Sequence, residues 1–149
     1  MAGKWDRRFL ELARHFAGWS KDPRTKVGAV LVSPDRSVVV PGYNGFARGC
    51  RDDAEVYADR TRKLRRVIHA EANALLVARR DLTGYTLYTV PLPPCAPCAA
   101  MVIQCGITRV VAAEPDAETA ARWADDLAEA AAMYAEAGVV LELVKWGAP

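Results

Sequence analysis

The sequence predicts an α/β fold, a three-layer α/β/α sandwich with a central mixed five-stranded sheet, in one domain that spans residues 1–149. Three observations lead to this prediction. The chain has 149 residues, the length of one domain with one core. Apolar residue types make up 52% and charged types 26% of it, as in globular proteins generally. Segments with helical periodicity and β-branched runs alternate in the order αββαβαβαβ, which places helices on both faces of a sheet.

The N-terminal elements are predicted to be a helix and a hairpin. Apolar residues recur at helical spacing over residues 5–19, until Asp22-Pro23 interrupts the pattern. The β-branched runs 27–32 and 38–40 flank a turn-rich segment and therefore predict two antiparallel strands. We expect the second strand to end at the segment Gly42-Tyr43-Asn44-Gly45.

The remaining elements alternate helix and strand after a long polar connection. Residues 45–68 are predicted to be irregular, and a connection of that length in a compact domain is usually functional or mobile. Helical spacing of apolar residues, β-branched runs and glycines at element ends then define six segments. These are helices at 70–80, 95–105 and 116–137 and strands at 85–90, 109–113 and 139–146.

The charge distribution bears on the partner. The formal net charge of +2 is too small to predict nucleic-acid binding. Residues 1–109 hold 18 Lys/Arg against 10 Asp/Glu, whereas residues 110–149 hold 2 against 8, so an anionic ligand is expected to bind the first part. No apolar run approaches the roughly 18 residues of a membrane span, and the first residues show no secretory segment. We therefore expect a cytoplasmic protein without a membrane partner.

Two short motifs carry the chemistry. His69-Ala70-Glu71 and Pro94-Cys95-Ala96-Pro97-Cys98 each open a predicted helix, where partial positive charge favours a thiolate. His69, Cys95 and Cys98 together form a ligand set suited to one Zn²⁺ ion, and three ligands leave the fourth position open for catalysis. Glu71 completes the H-x-E…P-C-x-x-C signature of zinc-dependent nucleobase deaminases and is predicted to be the catalytic proton carrier.

Other side chains are weaker metal candidates. Cys105 lies about 10.5 Å along the predicted helix from Cys98, too far to share one ion. Cys50 in the long connection and His15 are interpreted as ordinary side chains. Two other readings of the cysteine pair stay open, a zinc-stabilised interaction module without enzyme activity and a redox pair. A module of the first kind predicts four protein ligands, and a redox pair predicts no metal.

Several segments resemble the cytidine/deoxycytidylate deaminase superfamily, and most closely its zinc-dependent dCMP deaminase branch. These segments lie in the same order as in that branch. They are Asp22-Pro23-Arg24-Thr25-Lys26-Val27-Gly28-Ala29-Val30, Gly42-Tyr43-Asn44-Gly45, His69-Ala70-Glu71-Ala72-Asn73-Ala74 and Pro94-Cys95-Ala96-Pro97-Cys98-Ala99. The resemblance implies the cytidine deaminase-like fold and zinc-dependent conversion of dCMP to dUMP and ammonia.

The resemblance also implies roles for individual residues. Asn44 is expected to hydrogen-bond the sugar or base, the backbone of Ala70 to meet the base edge, and Arg24 to approach the nucleotide. The aromatic rings of Phe46 and Tyr88 are further candidates for base contacts, although strand and loop positions fit a packing role equally well. Arginines and lysines between residues 48 and 66 are candidates for phosphate binding.

Members of the resembled branch carry an insertion before the histidine motif, as this chain does. They are often homo-oligomers, frequently hexamers, and some are regulated by dCTP and dTTP, so these are expected partners here. One departure bears on the substrate. Glu114 and Pro115 follow the fourth strand where that branch usually has an aromatic and a basic residue, and an acid is a poor neighbour for phosphate. Cytidine, deoxycytidine, a modified dCMP, guanine and RNA adenosine therefore remain alternative substrates.

Overall fold

The computed structural model describes residues 2–147. Within them, five strands form one mixed sheet in the order β2-β1-β3-β4-β5. β1 is antiparallel to β2 and β3, whereas β3, β4 and β5 are parallel. The strands are β1 Gly28–Val32, β2 Val39–Tyr43, β3 Thr86–Val90, β4 Arg109–Ala113 and β5 Val140–Val144, and the helices are α1 Lys4–Ala17, α2 Ala54–Ala58, α3 Arg60–Arg66, α4 Ala70–Ala78, α5 Ala96–Gln104, α6 Ala117–Arg122 and α7 Ala124–Ala137.

Two apolar clusters cover the two faces of the sheet and confirm the predicted three layers. Leu87 of β3 points into a cluster that includes residues of α4, α5 and α7. Its neighbour Tyr88 points into the other cluster, which includes Phe9 and Leu10 of α1. This alternation follows from the period of two in a strand. Because β3, β4 and β5 are parallel, their carboxyl ends lie at one edge of the sheet, and α5 follows the end of β3 in the chain.

The structure corrects the prediction for residues 45–68. This segment contains the short helices α2 and α3 in place of an irregular connection. Asp53 accepts a hydrogen bond from the N–H of Val56, and Asp59 accepts one from Arg62, so each aspartate caps one helix. These Asp-x-x spacings are visible in the sequence and could have predicted both helices.

Two other element boundaries also differ from the prediction. The helix expected at 116–137 is divided into α6 and α7 at Trp123, whose φ of −106° and ψ of 11° leave the helical region. β2 continues to Tyr43 through Pro41, which a strand tolerates at the edge of a sheet. No helix within residues 2–147 is both long and apolar enough to cross a membrane.

Candidate active site

The first residues of α4 and α5 bring three ligand side chains together. His69 precedes α4 as its N-cap, Cys95 is the N-cap of α5, and Cys98 lies in the first turn of α5. Neither N-cap side chain makes a capping hydrogen bond. Both are turned toward each other, and the Nδ1 atom of His69 lies 3.4 Å from each of the two Sγ atoms.

This geometry fits a zinc ion. A nitrogen at about 2.0–2.1 Å and a sulfur at about 2.3 Å from a tetrahedral centre lie roughly 3.5 Å apart. All three ligand atoms lie within 4.8 Å of one another, and this is the only such group of three His, Cys, Asp or Glu residues in the described part of the chain. Neither Cys50, Cys105 nor His15 belongs to it. The set holds three protein ligands, one fewer than a closed structural zinc site.

The charges of the group favour metal binding. Hydrogen bonding from Cys98, together with that from His69, lowers the pKa of the Cys95 thiol to about 5. The same contact with Cys95 raises the pKa of His69. The hydrogen bond with Cys95, together with burial, raises the pKa of the Cys98 thiol, so its ionisation is favoured by a compensating positive charge such as a metal ion. A thiolate is the form that binds metal, and the lowered pKa of Cys95 favours that form.

Glu71 lies two residues after His69, in the first turn of α4. Its side chain is buried, with 4% of the residue exposed, and burial raises the pKa of its carboxyl. The carboxyl is close enough to Cys98 to hydrogen-bond its thiol. A carboxyl group with a raised pKa can accept a proton and give it back at neutral pH, which is the property a general acid–base catalyst needs.

A glycine allows α4 to lie close to the sheet. A Cβ atom at Gly42 of β2 would lie 2.3 Å from the carbonyl oxygen of Ala70 and 2.6 Å from the backbone nitrogen of Ala74. No side chain fits in that space. Gly42 therefore fixes how near β2 approaches the turn that holds Ala70 and Glu71.

Asn44 organises the loop before β1. Its Oδ1 accepts the N–H of Val27 at 2.9 Å, and its Nδ2 donates to the carbonyl of Thr25 at 2.9 Å. Nδ2 also lies 3.4 Å from Asp22, whose carboxylate forms a 2.7 Å ion pair with Lys63 of α3. Sequence reasoning missed Lys63 as the residue that ties the segment 45–68 to this loop, because no local pattern predicts a pairing 41 residues apart.

The structure supports the packing role that the sequence left open for Tyr88. Its ring packs on Phe9 of α1 with centroids 5.2 Å apart, and its hydroxyl donates to Asp6 at 2.9 Å, so it lies in the core on the α1 face. Phe46 stacks on Tyr57 at 4.3 Å, which leaves at most one ring face for a base. Arg24 is exposed, and Ala70 is fully buried in the first turn of α4.

A cavity of about 390 Å³ opens at the carboxyl ends of β3 and β4. Val90 and Pro91 line it together with Ala17 of α1, and none of the zinc-ligand residues or Glu71 is among its lining residues. Two basic and two acidic residues also line it, together with the indole of Trp146. The four charged residues are Arg14, Lys26, Glu114 and Asp116.

Comparison with known proteins decides the family. The profile of the cytidine and deoxycytidylate deaminase zinc-binding region matches residues 3–114, which include both motifs. The chain belongs to the cytidine and deoxycytidylate deaminase family. Within this deaminase, residues 115–147, including α6, α7 and β5, follow the matched region.

Relatives and solved structures agree with the assignment of this deaminase. An uncharacterized deaminase in the luxG 3' region of Aliivibrio fischeri is 40% identical over 139 residues, which cover 93% of this chain and 92% of the relative. Human deoxycytidylate deaminase is 39% identical over 116 residues, 72% of this chain and 64% of the human protein. The dCMP deaminase of cyanophage S-TIM5 shares the fold, with a TM-score of 0.73 at 23% identity over 97% of this chain and 100% of that one.

Proposed function

We propose that the protein catalyses zinc-dependent hydrolytic deamination of dCMP to dUMP and ammonia. The observation that carries this proposal is the convergence of His69, Cys95 and Cys98 beside the buried Glu71 in a member of this family. Relatives from several animals are named deoxycytidylate deaminases. The cyanophage dCMP deaminase has also been solved in complex with dCMP and dUMP.

The proton transfers are assigned to Glu71. Zinc held by His69, Cys95 and Cys98 would supply Lewis acidity that activates water for attack on C4 of the cytosine ring. Glu71 accepts a proton from that water and transfers it to the ring nitrogen N3. It then carries a second proton, from the hydroxyl group added at C4, to the amino group; the C4–N bond breaks, ammonia leaves and the C4 carbonyl of uracil forms. Burial of the Glu71 carboxyl keeps bulk water from exchanging these protons.

Asn44 and Ala70 are proposed to bind the nucleoside part of the substrate. The Oδ1 atom of Asn44 accepts the N–H of Val27, and a carbonyl oxygen has two lone pairs, so one is available to a sugar hydroxyl. The N–H of Ala70 belongs to the first turn of α4, where backbone donors have no acceptor within the helix. It is therefore suited to donate to the edge of the base.

The cavity at the ends of β3 and β4 is proposed to hold the phosphate. Lys26 and Arg14 supply positive charge there, and the exposed Arg24 lies two residues before Lys26. Lys26 also donates to the carbonyl of Ser20, and the Arg14 guanidinium lies 4.7 Å from the centre of the Trp146 ring. These contacts hold both cations at the wall of the cavity.

Glu114 favours a second candidate, deamination of a nucleoside without phosphate. Its carboxylate and that of Asp116 line the same cavity, where they would repel a phosphate group. A neutral sugar hydroxyl would instead be able to donate a hydrogen bond to either carboxylate.

Product profiling distinguishes the two candidates. The zinc-loaded protein is incubated separately with dCMP, CMP, deoxycytidine, cytidine, dCTP, guanine and an RNA that presents a single-stranded adenosine, and ammonia release is measured with the zinc content of the same preparation. We expect kcat/KM to be highest for dCMP. A higher kcat/KM for deoxycytidine would show that the nucleoside, and not dCMP, is the preferred substrate. Absence of ammonia release from every substrate would contradict the deaminase assignment.

We also propose that the protein is a cytoplasmic homo-oligomer, with a hexamer as the first size to test and with dCTP and dTTP as effectors. Exposed apolar residues on α3 and α4 support association, because such side chains are commonly covered between subunits. They are Leu64, Leu76 and Val77. Light scattering with and without each nucleotide gives the mass, which we expect to be a multiple of the chain mass.

A further inference from the structure

Helix α7 is packed against the helix that carries both cysteines. Ala130 and Tyr134 of α7 are buried in one cluster with Ala99 and Val102 of α5. Asp126 precedes Ala130 by four residues and therefore lies on the same face of α7, one turn nearer its N-terminus. This face brings a carboxylate to the N-terminus of α5.

The carboxylate accepts a hydrogen bond from the first residue of α5. The N–H of Ala96 donates to Oδ2 of Asp126 at 2.8 Å, across 30 residues of sequence. The first N–H groups of a helix have no acceptor within the helix, and the side chain of the N-cap residue usually supplies one. Here the N-cap is Cys95, whose side chain faces His69 and makes no capping bond. An N-cap side chain reaches the N–H groups of the second and third helical residues, so the N–H of Ala96, the first, needs an acceptor from outside α5, and Asp126 supplies it.

We propose that Asp126 is a positioning residue that holds the Cys95–Cys98 turn in the geometry required for zinc. Ala96 lies between the two sulfur ligands, so the bond from its N–H fixes the backbone to which both thiols are attached. Asp126 itself lies outside the matched region 3–114, its hydrogen bond reaches the ligand turn through the N–H of Ala96, and its charge also contributes to the raised pKa of His69. The proposal depends on the zinc site and not on the identity of the substrate.

Zinc release tests the proposal without any activity measurement. The purified zinc-loaded wild type and the variants D126A, D126N and D125A are mixed with a coloured chelator, and the rate of zinc transfer is followed. Asp125 is the matched control, because it is an exposed acid in the same first turn of α7 and has the same relation to the helix dipole. The thermal unfolding midpoint of each metal-free variant shows separately how much α7 packing has changed.

We expect D126A to release zinc at least about 10-fold faster than the wild type, in the range found for residues that orient metal ligands. D126N keeps an oxygen acceptor and is expected to stay within about 3-fold of the wild type, as is D125A. Equal release rates for D126A and D125A would overturn the proposal. So would a D126N variant that releases zinc as fast as D126A, because the acceptor would then be irrelevant.

A measurement on the wild type completes the test. Amide hydrogen exchange of Ala96 is followed by NMR in the zinc-loaded protein. We expect protection at Ala96, although first-turn amides that lack a cap exchange rapidly. Exchange at the rate of an unstructured amide would contradict the bond to Asp126 and with it the positioning role.

Discussion

At the scale of single residues, Glu71 combines burial with proximity to the metal ligands. Its carboxyl is removed from solvent, next to Cys98, at the second position of α4. The presence of an exposed acidic residue at that position would be explained by its favourable interaction with the positive end of the helix dipole alone. A buried one costs free energy of folding unless it has a partner or a function, so its burial supports the role as proton carrier.

Replacement of Glu71 by glutamine tests that role. We expect Glu71→Gln to reduce kcat on dCMP by about 10²–10⁴-fold, because the amide cannot transfer protons. Zinc content measured by atomic absorption should stay near one ion per chain, since Glu71 is not a ligand. Near-normal turnover by the zinc-loaded variant would refute the assignment, and loss of zinc would show a structural role instead.

At the scale of elements, the approach of β2 to α4 depends on the missing side chain of Gly42. The backbone of α4 lies so close to Gly42 that any side chain at this position would push β2 away from the turn that holds Ala70 and Glu71. The turn that presents the ligand is therefore fixed by packing of backbone against backbone.

Replacement of Gly42 by alanine should separate the two elements. We expect Gly42→Ala to lower the free energy of unfolding by about 1–3 kcal/mol, the usual cost of overpacking, as measured by urea denaturation. Gly45→Ala is the matched control in the same motif, because a Cβ atom there would meet only the Tyr57 hydroxyl at 3.9 Å. Equal stability of the two variants would contradict the close approach of β2 and α4.

At the scale of the whole molecule, an ionic cluster joins the first helix to the far side of the sheet. Asp6 of α1 accepts two hydrogen bonds from Arg109 of β4, at 2.7 and 2.9 Å, and Arg109 also donates to Glu142 of β5 at 2.7 Å. The hydrogen bond from Arg109 lowers the pKa of Asp6 from 3.8 to about 2. The cluster lies across three elements that are distant in sequence.

This cluster predicts how stability depends on pH. Because the pKa of Asp6 is lower in the folded state, its contribution of about 2 kcal/mol is present above pH 4 and is lost as pH falls toward 2. In the metal-free protein, we expect Asp6→Asn to reduce the free energy of unfolding at pH 6 and to flatten its decrease between pH 5 and pH 2. Urea denaturation across that range measures both effects. Asp125→Asn is the control, and an unchanged slope in Asp6→Asn would contradict the prediction.

Features that depend on residues close together in the sequence could be predicted, whereas contacts between residues far apart in the sequence could not. The five strands, most of the helices and the group of His69, Cys95 and Cys98 follow from local patterns and short motifs, and the structure confirms that these three side chains come together. Tyr88 shows the limit, because its strand is predicted correctly but the face to which it points depends on α1. The sequence alone therefore left a base contact and a packing role equally open for this residue.

Contacts between distant segments could not be predicted in the same way. Asp126 and Ala96 are 30 residues apart, and Lys63 and Asp22 are 41 apart. No sequence motif that contains Asp126 or Asp22 indicates which residue the carboxylate contacts. From the sequence alone, each aspartate could equally be an exposed surface residue. Only the packing of α7 on α5, and of α3 beside the loop before β1, brings these pairs together.

The ion pair between Lys63 and Asp22 constrains any exchange of the segment 45–68 between relatives. Only 3% of the Asp22 side chain and 14% of the Lys63 side chain are exposed. A chimera whose transplanted segment lacks a cation at position 63 would leave the carboxylate of Asp22 buried without a partner. The free energy of unfolding would fall by an amount on the order of 3 kcal/mol. Chimeras made to transfer substrate preference would therefore need to import the anchoring cation together with the loop, or replace the aspartate as well.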